Sequence, residues 1–65
     1  MPRGKRVADT GLLIRDRGLI LQRDAGGTWR LDVNRIPVEL IGCRVRITGT
    51  RSEFDLVDVD RIEPC

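Results

Sequence analysis

Histidine and tyrosine are both missing from these 65 residues, and Ser52 is the only serine. Without histidine, neither a Ser-His-Asp nor a Cys-His arrangement for nucleophilic catalysis can be built. Zinc sites of the usual cysteine and histidine type are excluded for the same reason. The carboxylates of Asp55, Asp58 and Asp60 have the spacing of a solvated strand face rather than of a cation site. We therefore expect no catalytic residue, no metal site and no cofactor, and predict that the chain is not an enzyme.

Cysteine is scarce, since only Cys43 and Cys65 occur and they form no Cys-x-x-Cys pair. A small domain held together by disulfides has more cysteines than this. We predict that Cys43 is a small buried residue and that Cys65 is a loose thiol near the C-terminus.

Long apolar runs are absent too, because no stretch approaches the roughly 18 residues of a membrane-spanning helix. The basic residues 1–6 are not followed by the apolar segment of a signal peptide. These absences predict a cytoplasmic protein with no membrane partner. At this length we expect one domain over residues 1–65, with loose ends at 1–6 and 63–65.

Alternation of apolar and polar residues is what the sequence does have, and it predicts strands. The predicted strands cover residues 7–14, 19–23, 28–33, 43–50 and 54–62, with a short helix around residues 37–41. Gly11 suggests a bend inside the first strand, and Gly26-Gly27 predicts a tight hairpin between the second and third. The phase of the last strand changes where Leu56 and Val57 stand side by side, which predicts a β-bulge there.

This element order is that of an all-β, five-stranded OB-type Greek-key barrel with a short helix between strands three and four. The segment Leu40-x-Gly42-x-x-Val45-x-Ile47-x-Gly49 resembles OB-fold proteins where their helix ends and the fourth strand begins. The closing Leu56-Val57-Asp58-Val59 is similar to that of small bacterial OB-like domains. Over roughly residues 10–62 the chain resembles an uncharacterised family of such domains, a domain of unknown function. The alternative is an SH3-like barrel, whose helical turn stands before the last strand.

Strand phase also predicts the core and the pairing of the last two strands. The expected core residues are Leu12, Leu21, Trp29, Leu31, Val45, Ile47, Val57 and Val59, and Phe54 shares their phase. Counting back from a loop flanked by Thr50 and Phe54 predicts four cross-strand pairs: Val45 with Val59, Ile47 with Val57, Arg46 with Asp58, and Arg44 with Asp60.

Arginine supplies the candidate ligand face, since eleven of the twelve basic residues are arginine and the net charge is +2. An OB barrel binds single strands across strands two and three and with the adjoining loops. Those positions hold Arg15 and Arg17 in the first loop, Arg23 and Arg30 on the strands, and Arg51 in the last loop.

Aromatic residues for base stacking are the missing half of that interface, because Trp29 and Phe54 are both predicted to be core. We therefore expect any binding of single-stranded nucleic acid to be weak. The preferred hypothesis is a small binding module for an unknown protein partner or for a second copy of itself. Neutralisation of the face around Arg23 and Arg30 by Asp16, Asp24 and Asp32 would favour that hypothesis. A uniformly positive face there would favour nucleic acid.

Overall fold

Five strands form the fold in the computed structural model, which describes residues 4–65. They are β1 (Arg6–Arg15), β2 (Leu19–Arg23), β3 (Thr28–Asp32), β4 (Arg44–Arg51) and β5 (Leu56–Pro64). The strands join in the order β1-β2-β3-β5-β4, and β1 pairs with β4 to close a barrel. One 3₁₀ turn, Val38–Leu40, lies between β3 and β4. The predicted all-β, five-stranded barrel is confirmed, and the 3₁₀ turn takes the place of the predicted short helix.

Gly11 is where β1 passes from one neighbour to the other. It is paired with Arg23 of β2 and with Val45 of β4. A Cβ atom at this position would lie 2.1 Å from the backbone oxygen of Gln22, so no larger residue fits without a backbone shift. The bend predicted at Gly11 is thus the point at which one long strand serves two halves of the barrel.

The β2–β3 hairpin forms at the predicted glycines. Gly26 and Gly27 have φ angles of 103° and 83°, which L side chains rarely adopt. The Arg23 amide donates to the Gly27 carbonyl at 3.0 Å and closes the turn.

The predicted register between β4 and β5 is wrong. Arg51 is paired with Val57, Thr50 with Asp58 and Gly49 with Val59, so the strands are offset by about four residues from the prediction. The error began at Phe54, which lies in the connecting loop and does not start the strand. The bulge is displaced as well. It lies between Thr48 and Gly49, and the extra residue on β5 is Asp60, which has no partner on β4 in the strand register.

The buried core consists of Leu13, Leu19, Leu21, Leu31, Val45, Ile47 and Val57. Five of the eight predicted core residues are therefore buried, and Trp29 and Val59 pack against them half-buried. The prediction that Leu12 is a core residue is wrong, because Leu12 is 38% exposed while its neighbour Leu13 is 0% exposed. The prediction that Phe54 is a core residue is wrong by the largest margin, because Phe54 is 85% exposed.

The chain segments at the end of the barrel also differ from expectation. Cys43 is exposed, because it precedes β4 and turns away from the core, and Cys65 is exposed too. Strand β5 continues to Pro64, and the Cys65 amide donates to the Arg44 carbonyl at 3.0 Å, so residues 63–65 are held by backbone pairing. Residues 1–3 of the expected N-terminal loose end lie outside the described residues. No helix within residues 4–65 is long and apolar enough to cross a membrane.

Candidate binding surface at the mouth of the barrel

One end of the barrel is closed by polar and aromatic side chains that face inward. Four residues form this group, called here the mouth cluster: Asp9, Arg23, Trp29 and Arg51. Each is paired across the sheet with a buried residue. The pairs are Asp9 with Ile47, Arg23 with Gly11, Trp29 with Leu21, and Arg51 with Val57. Residues directly opposite on neighbouring strands project from the same face of a sheet. All four therefore lie on the inner face, at the end where β3 begins.

Asp9 is the hydrogen-bonding centre of the mouth cluster. Its Oδ2 accepts from Arg23 Nε at 2.6 Å and from Trp29 Nε1 at 3.0 Å, and its Oδ1 accepts from the Thr10 amide at 3.0 Å. Its side chain is only 18% exposed. Burial alone would raise the pKa of Asp9, but the donors on Trp29, Arg23 and Thr10 outweigh it and lower that pKa.

Stacked cations extend the mouth cluster toward the β4–β5 loop. The Arg23 guanidinium lies 5.2 Å from the centre of the Trp29 ring, and the Arg51 guanidinium lies 6.0 Å from it. The same Arg51 group lies 5.5 Å from the Phe54 ring. Arg51 Nε also donates to the Glu53 carbonyl at 3.3 Å. Arg51 therefore links the half-buried indole to the exposed ring of Phe54.

A shallow cavity of about 330 Å³ opens beside Phe54. Its lining consists of Gly4, Lys5, Arg51, Ser52, Glu53 and Phe54. Three of these side chains, Lys5, Arg51 and Phe54, are called here the Phe54 surface. Lys5 is brought into place by backbone pairing, because the Arg51 amide donates to the Lys5 carbonyl at 2.8 Å. Two cations and one exposed aromatic ring thus surround a single opening.

Arg30 of β3 holds the loop that presents Phe54. Its Nε and Nη2 donate to Asp55 Oδ1 at 3.0 and 2.7 Å, and its Nη2 lies 3.5 Å from Glu53 Oε1. The Arg30 amide donates to the Asp55 carbonyl at 2.7 Å. The hydrogen bond from Arg30 lowers the pKa of Asp55, and the same bond raises the pKa of Arg30. Residues 53–55 are therefore anchored to the sheet on both sides of Phe54.

The five predicted ligand arginines lie in separate places. Arg23 and Arg51 flank Trp29, whereas Arg17 and Arg30 line a different cavity of about 270 Å³ with the β1–β2 turn. Arg15 is exposed at the end of β1. Arg23 and Arg30 are both bound to carboxylates. The contacts thus bring Arg23 and Arg51 together at Trp29, and Arg17 and Arg30 together at the other cavity.

The carboxylates that pair with Arg23 and Arg30 are not Asp16, Asp24 or Asp32, so the expectation for those three residues is wrong. Asp9 and Asp55 take Arg23 and Arg30, while Asp24 bonds to Arg44. The predicted Arg44–Asp60 pair is consequently wrong, and Asp60 bonds to Arg6 instead. The predicted Arg46–Asp58 pair is wrong as well, since Arg46 is opposite Glu63.

Three residues of this region were missed by sequence reasoning: Lys5, Asp9 and, as an exposed residue, Phe54. Asp9 has a signal in principle, since it lies two positions from both Val7 and Gly11 on the inward face. A charged residue in an inward position breaks the alternation pattern, and such a break is a pointer to a site. Lys5 has no such signal, because only the closing of the barrel brings it beside Arg51.

No metal centre forms within the described range 4–65, where no three cysteine, aspartate or glutamate side chains converge. The sole serine is also committed locally, since Ser52 Oγ lies 3.3 Å from the Leu56 carbonyl, to which it donates. What this region presents is two cationic side chains beside an exposed aromatic ring.

Comparison with known proteins and protein families identifies a family. No curated protein and no solved structure matches the chain. A family model described as protein of unknown function (DUF5818) matches residues 10–65, which include four of the five strands whole and most of β1. The predicted resemblance to an uncharacterised family is confirmed, and the chain belongs to the DUF5818 family of proteins of unknown function.

Proposed function

We propose that this protein is a non-enzymatic interaction module that contacts another protein through the Phe54 surface. The observation that carries the proposal is the pairing of Arg23 and Arg30 with Asp9 and Asp55. These arginines occupy strands two and three, where an OB-type barrel would contact the phosphates of a single strand. With their charge already compensated, that face lacks the electrostatic attraction on which polyanion binding depends.

The composition of the Phe54 surface supports a protein partner. Aromatic residues and arginine are enriched in protein interfaces, and they dominate the binding energy where they form a packed centre. Phe54 is 85% exposed and adjoins Arg51, which supplies both residue types at one point. Such a large exposed ring has an unfavourable contact with water, which a partner would relieve.

Pre-organisation of the loop supports the same proposal. The bonds from Arg30 to Asp55 and Glu53 fix the loop on both sides of Phe54 before any partner arrives. A loop that is already ordered loses less conformational entropy on binding. The same contacts would favour either a heterologous partner or a second copy of the chain.

Affinity isolation from an extract of the source cells tests the proposal. The tagged wild-type chain is compared with Phe54→Ser and with Val38→Ser, because Val38 is another strongly exposed apolar side chain within residues 4–65, at 66%, and lies outside the Phe54 surface. The extract is treated with nuclease throughout. We expect a defined protein to be retained by the wild type and by Val38→Ser and lost with Phe54→Ser.

Sedimentation equilibrium over a range of concentrations tests self-association with the same three proteins. A dimer that disappears only in Phe54→Ser supports the homo-oligomeric form of the proposal. If the wild type neither retains a protein nor self-associates, the proposal is wrong.

Weak binding of single-stranded nucleic acid is the second candidate function. The observation that favours it is the exposed Phe54 ring beside Arg51, because a base can stack on such a ring at a gain of about 1–3 kcal/mol. Fluorescence anisotropy with a labelled oligothymidylate measures it. Submicromolar binding at physiological salt that is lost in Phe54→Ser would replace the interaction module with this function.

A further inference from the structure

The two cations of the Phe54 surface have no carboxylate partner. Within the described part of the chain, neither Lys5 nor Arg51 forms an ion pair, and the Arg51 side chain bonds only to the Glu53 carbonyl. Glu53 is the one carboxylate that lines the cavity, and it lies 3.5 Å from Arg30. The opening beside Phe54 therefore carries uncompensated positive charge, in contrast to the neutralised face at Arg23 and Arg30.

We propose that the Phe54 surface binds an acidic peptide segment that contains an aromatic side chain. This inference rests on the proposed function and names the chemistry of the partner. Carboxylates of the segment pair with Arg51 and Lys5, since a guanidinium accepts a carboxylate in a two-bond geometry. The aromatic side chain of the segment packs on the exposed ring of Phe54.

The size of the opening fits this occupant. A volume of about 330 Å³ lies at the lower end of the range for ligand pockets, which is about 300–1,000 Å³. It accommodates one large side chain together with a neighbouring carboxylate. The rest of the segment would lie on the barrel surface outside the cavity.

Local charge favours a peptide over a nucleic acid. Two uncompensated cations can balance one or two carboxylates, and that number is enough for a short acidic motif. A nucleic acid carries one phosphate for every base. Phosphates beyond the two that pair with Lys5 and Arg51 would approach the carboxylates of Glu53 and Asp55, which share the single arginine Arg30. Each such repulsion weakens a polyanion and leaves a short peptide unaffected.

Titration of the ¹⁵N-labelled full chain, followed by NMR chemical shifts, tests the inference. The probe is the acetylated and amidated peptide Gly-Glu-Phe-Asp-Gly, with two carboxylates, and its control is Gly-Lys-Phe-Arg-Gly with the same ring and opposite charge. We expect the acidic peptide to shift amides at residues 4–5 and 51–55 and the basic peptide to shift none. The affinity should fall as salt rises, because the cations are exposed.

Matched variants locate the contact. Lys5→Gln and Arg51→Gln should each weaken the acidic peptide by about tenfold, the size of one charge-assisted hydrogen bond. Lys5→Gln leaves the Trp29 stack intact, so it remains informative if Arg51→Gln disturbs the fold. Phe54→Ser should weaken binding by about tenfold or more, and Val38→Ser should leave it unchanged.

Three outcomes would overturn the inference. They are equal binding of the basic peptide, shifts confined to other residues, and tighter binding of oligothymidylate than of the acidic peptide at physiological salt. The last of these would assign the surface to nucleic acid. If the acidic peptide does not bind but a protein is still lost with Phe54→Ser in the affinity isolation, the partner chemistry is wrong and the interaction module stands. If both results are negative, both proposals fail.

Discussion

At the end of the barrel where β3 finishes, apolar side chains cover the core, whereas the end where β3 begins is covered by the mouth cluster. The apolar end consists of half-buried residues on and around the 3₁₀ turn, namely Val33, Ile36, Leu40 and Ile41. Burial of such residues stabilises the fold without any requirement for hydrogen-bond direction. The mouth cluster is different, because Asp9 must accept from both Arg23 and Trp29 at the same time.

Stability alone does not account for a charged cluster on an inner face. Replacement of a buried ion pair by well-packed apolar residues is often neutral or stabilising, so an apolar lid would close this end equally well. What the mouth cluster adds is a fixed position for the side chains that lead to Phe54. Asp9 fixes Trp29, Trp29 supports Arg51, and Arg51 lies against Phe54. We propose that the apolar end serves stability alone, whereas the mouth cluster also positions the Phe54 surface.

The largest expected effect comes from breaking the interior that both ends share. Leu13→Asp should unfold the domain, because an unpaired buried charge costs several kcal/mol and a domain of this size has only about 3–5 kcal/mol of stability. Leu12→Asp is the matched control, since Leu12 is 38% exposed and Leu13 is 0% exposed. Circular dichroism with thermal melting checks both variants. A folded Leu13→Asp together with an unfolded Leu12→Asp would show that Leu12, and not Leu13, points into the core.

This pair of residues also marks the limit of prediction from the sequence. Strands with strict alternation were predicted correctly, as at Val45 and Ile47 of β4, which are both 0% exposed. Leu12-Leu13-Ile14 has no alternation, so hydrophobicity could not decide which residue faces inward. In the structure Leu13 shares the inward face with Gly11 and Asp9, and Asp9 is a charged residue in an inward position. Its compensation by Arg23 and Trp29 exists only after the strands have paired.

Prediction of the candidate site failed for a related reason. Arg23, Arg30 and Arg51 were identified as functional candidates, but their partners come from other strands and loops. The β4–β5 register depends on a bulge opposite Asp60, which brings Val59 and Ile62 to the same face although their spacing is odd. A bulge is a property of the paired backbone, and the apolar pattern alone placed it at Leu56. Phe54 was consequently assigned to the core and not to the loop.

A smaller effect is expected from breaking the mouth cluster. Asp9→Ala leaves Trp29 Nε1 and Arg23 without their acceptor, and a half-buried donor left unpaired costs about 1–3 kcal/mol. Urea unfolding measures the loss. We also expect the acidic peptide to bind less tightly, because Trp29 no longer supports Arg51 in one position. Unchanged stability would show that the hydrogen bonds of Asp9 contribute nothing to the free energy of unfolding.

The pH dependence of the same contact gives a second test. The pKa of Asp9 is lowered from its usual value of 3.8 because, although burial opposes ionisation, the donors on Trp29, Arg23 and Thr10 favour it more strongly. A lowered pKa in the folded state contributes stability that is fully present above the unfolded value and is lost as pH falls through the folded value. The gap in melting temperature between wild type and Asp9→Asn should therefore be constant above about pH 5 and shrink below pH 3.8. A gap that widens in acid would contradict the assignment.

The smallest expected effect sharpens the comparison most, because it separates binding from stability at the two ends. Phe54 is 85% exposed and Val38, on the 3₁₀ turn at the apolar end, is 66% exposed. Substitution of an exposed side chain by serine usually changes stability by no more than about 0.5 kcal/mol. Loss of the Arg51 contact in Phe54→Ser adds at most about 0.5–1 kcal/mol, which is the size of an exposed cation–π interaction. Phe54→Ser and Val38→Ser should therefore unfold at nearly the same urea concentration as the wild type, and only Phe54→Ser should lose the acidic peptide. A drop of several kcal/mol in Phe54→Ser would instead make Phe54 a structural part of the mouth cluster, and its exposure would no longer support a binding surface.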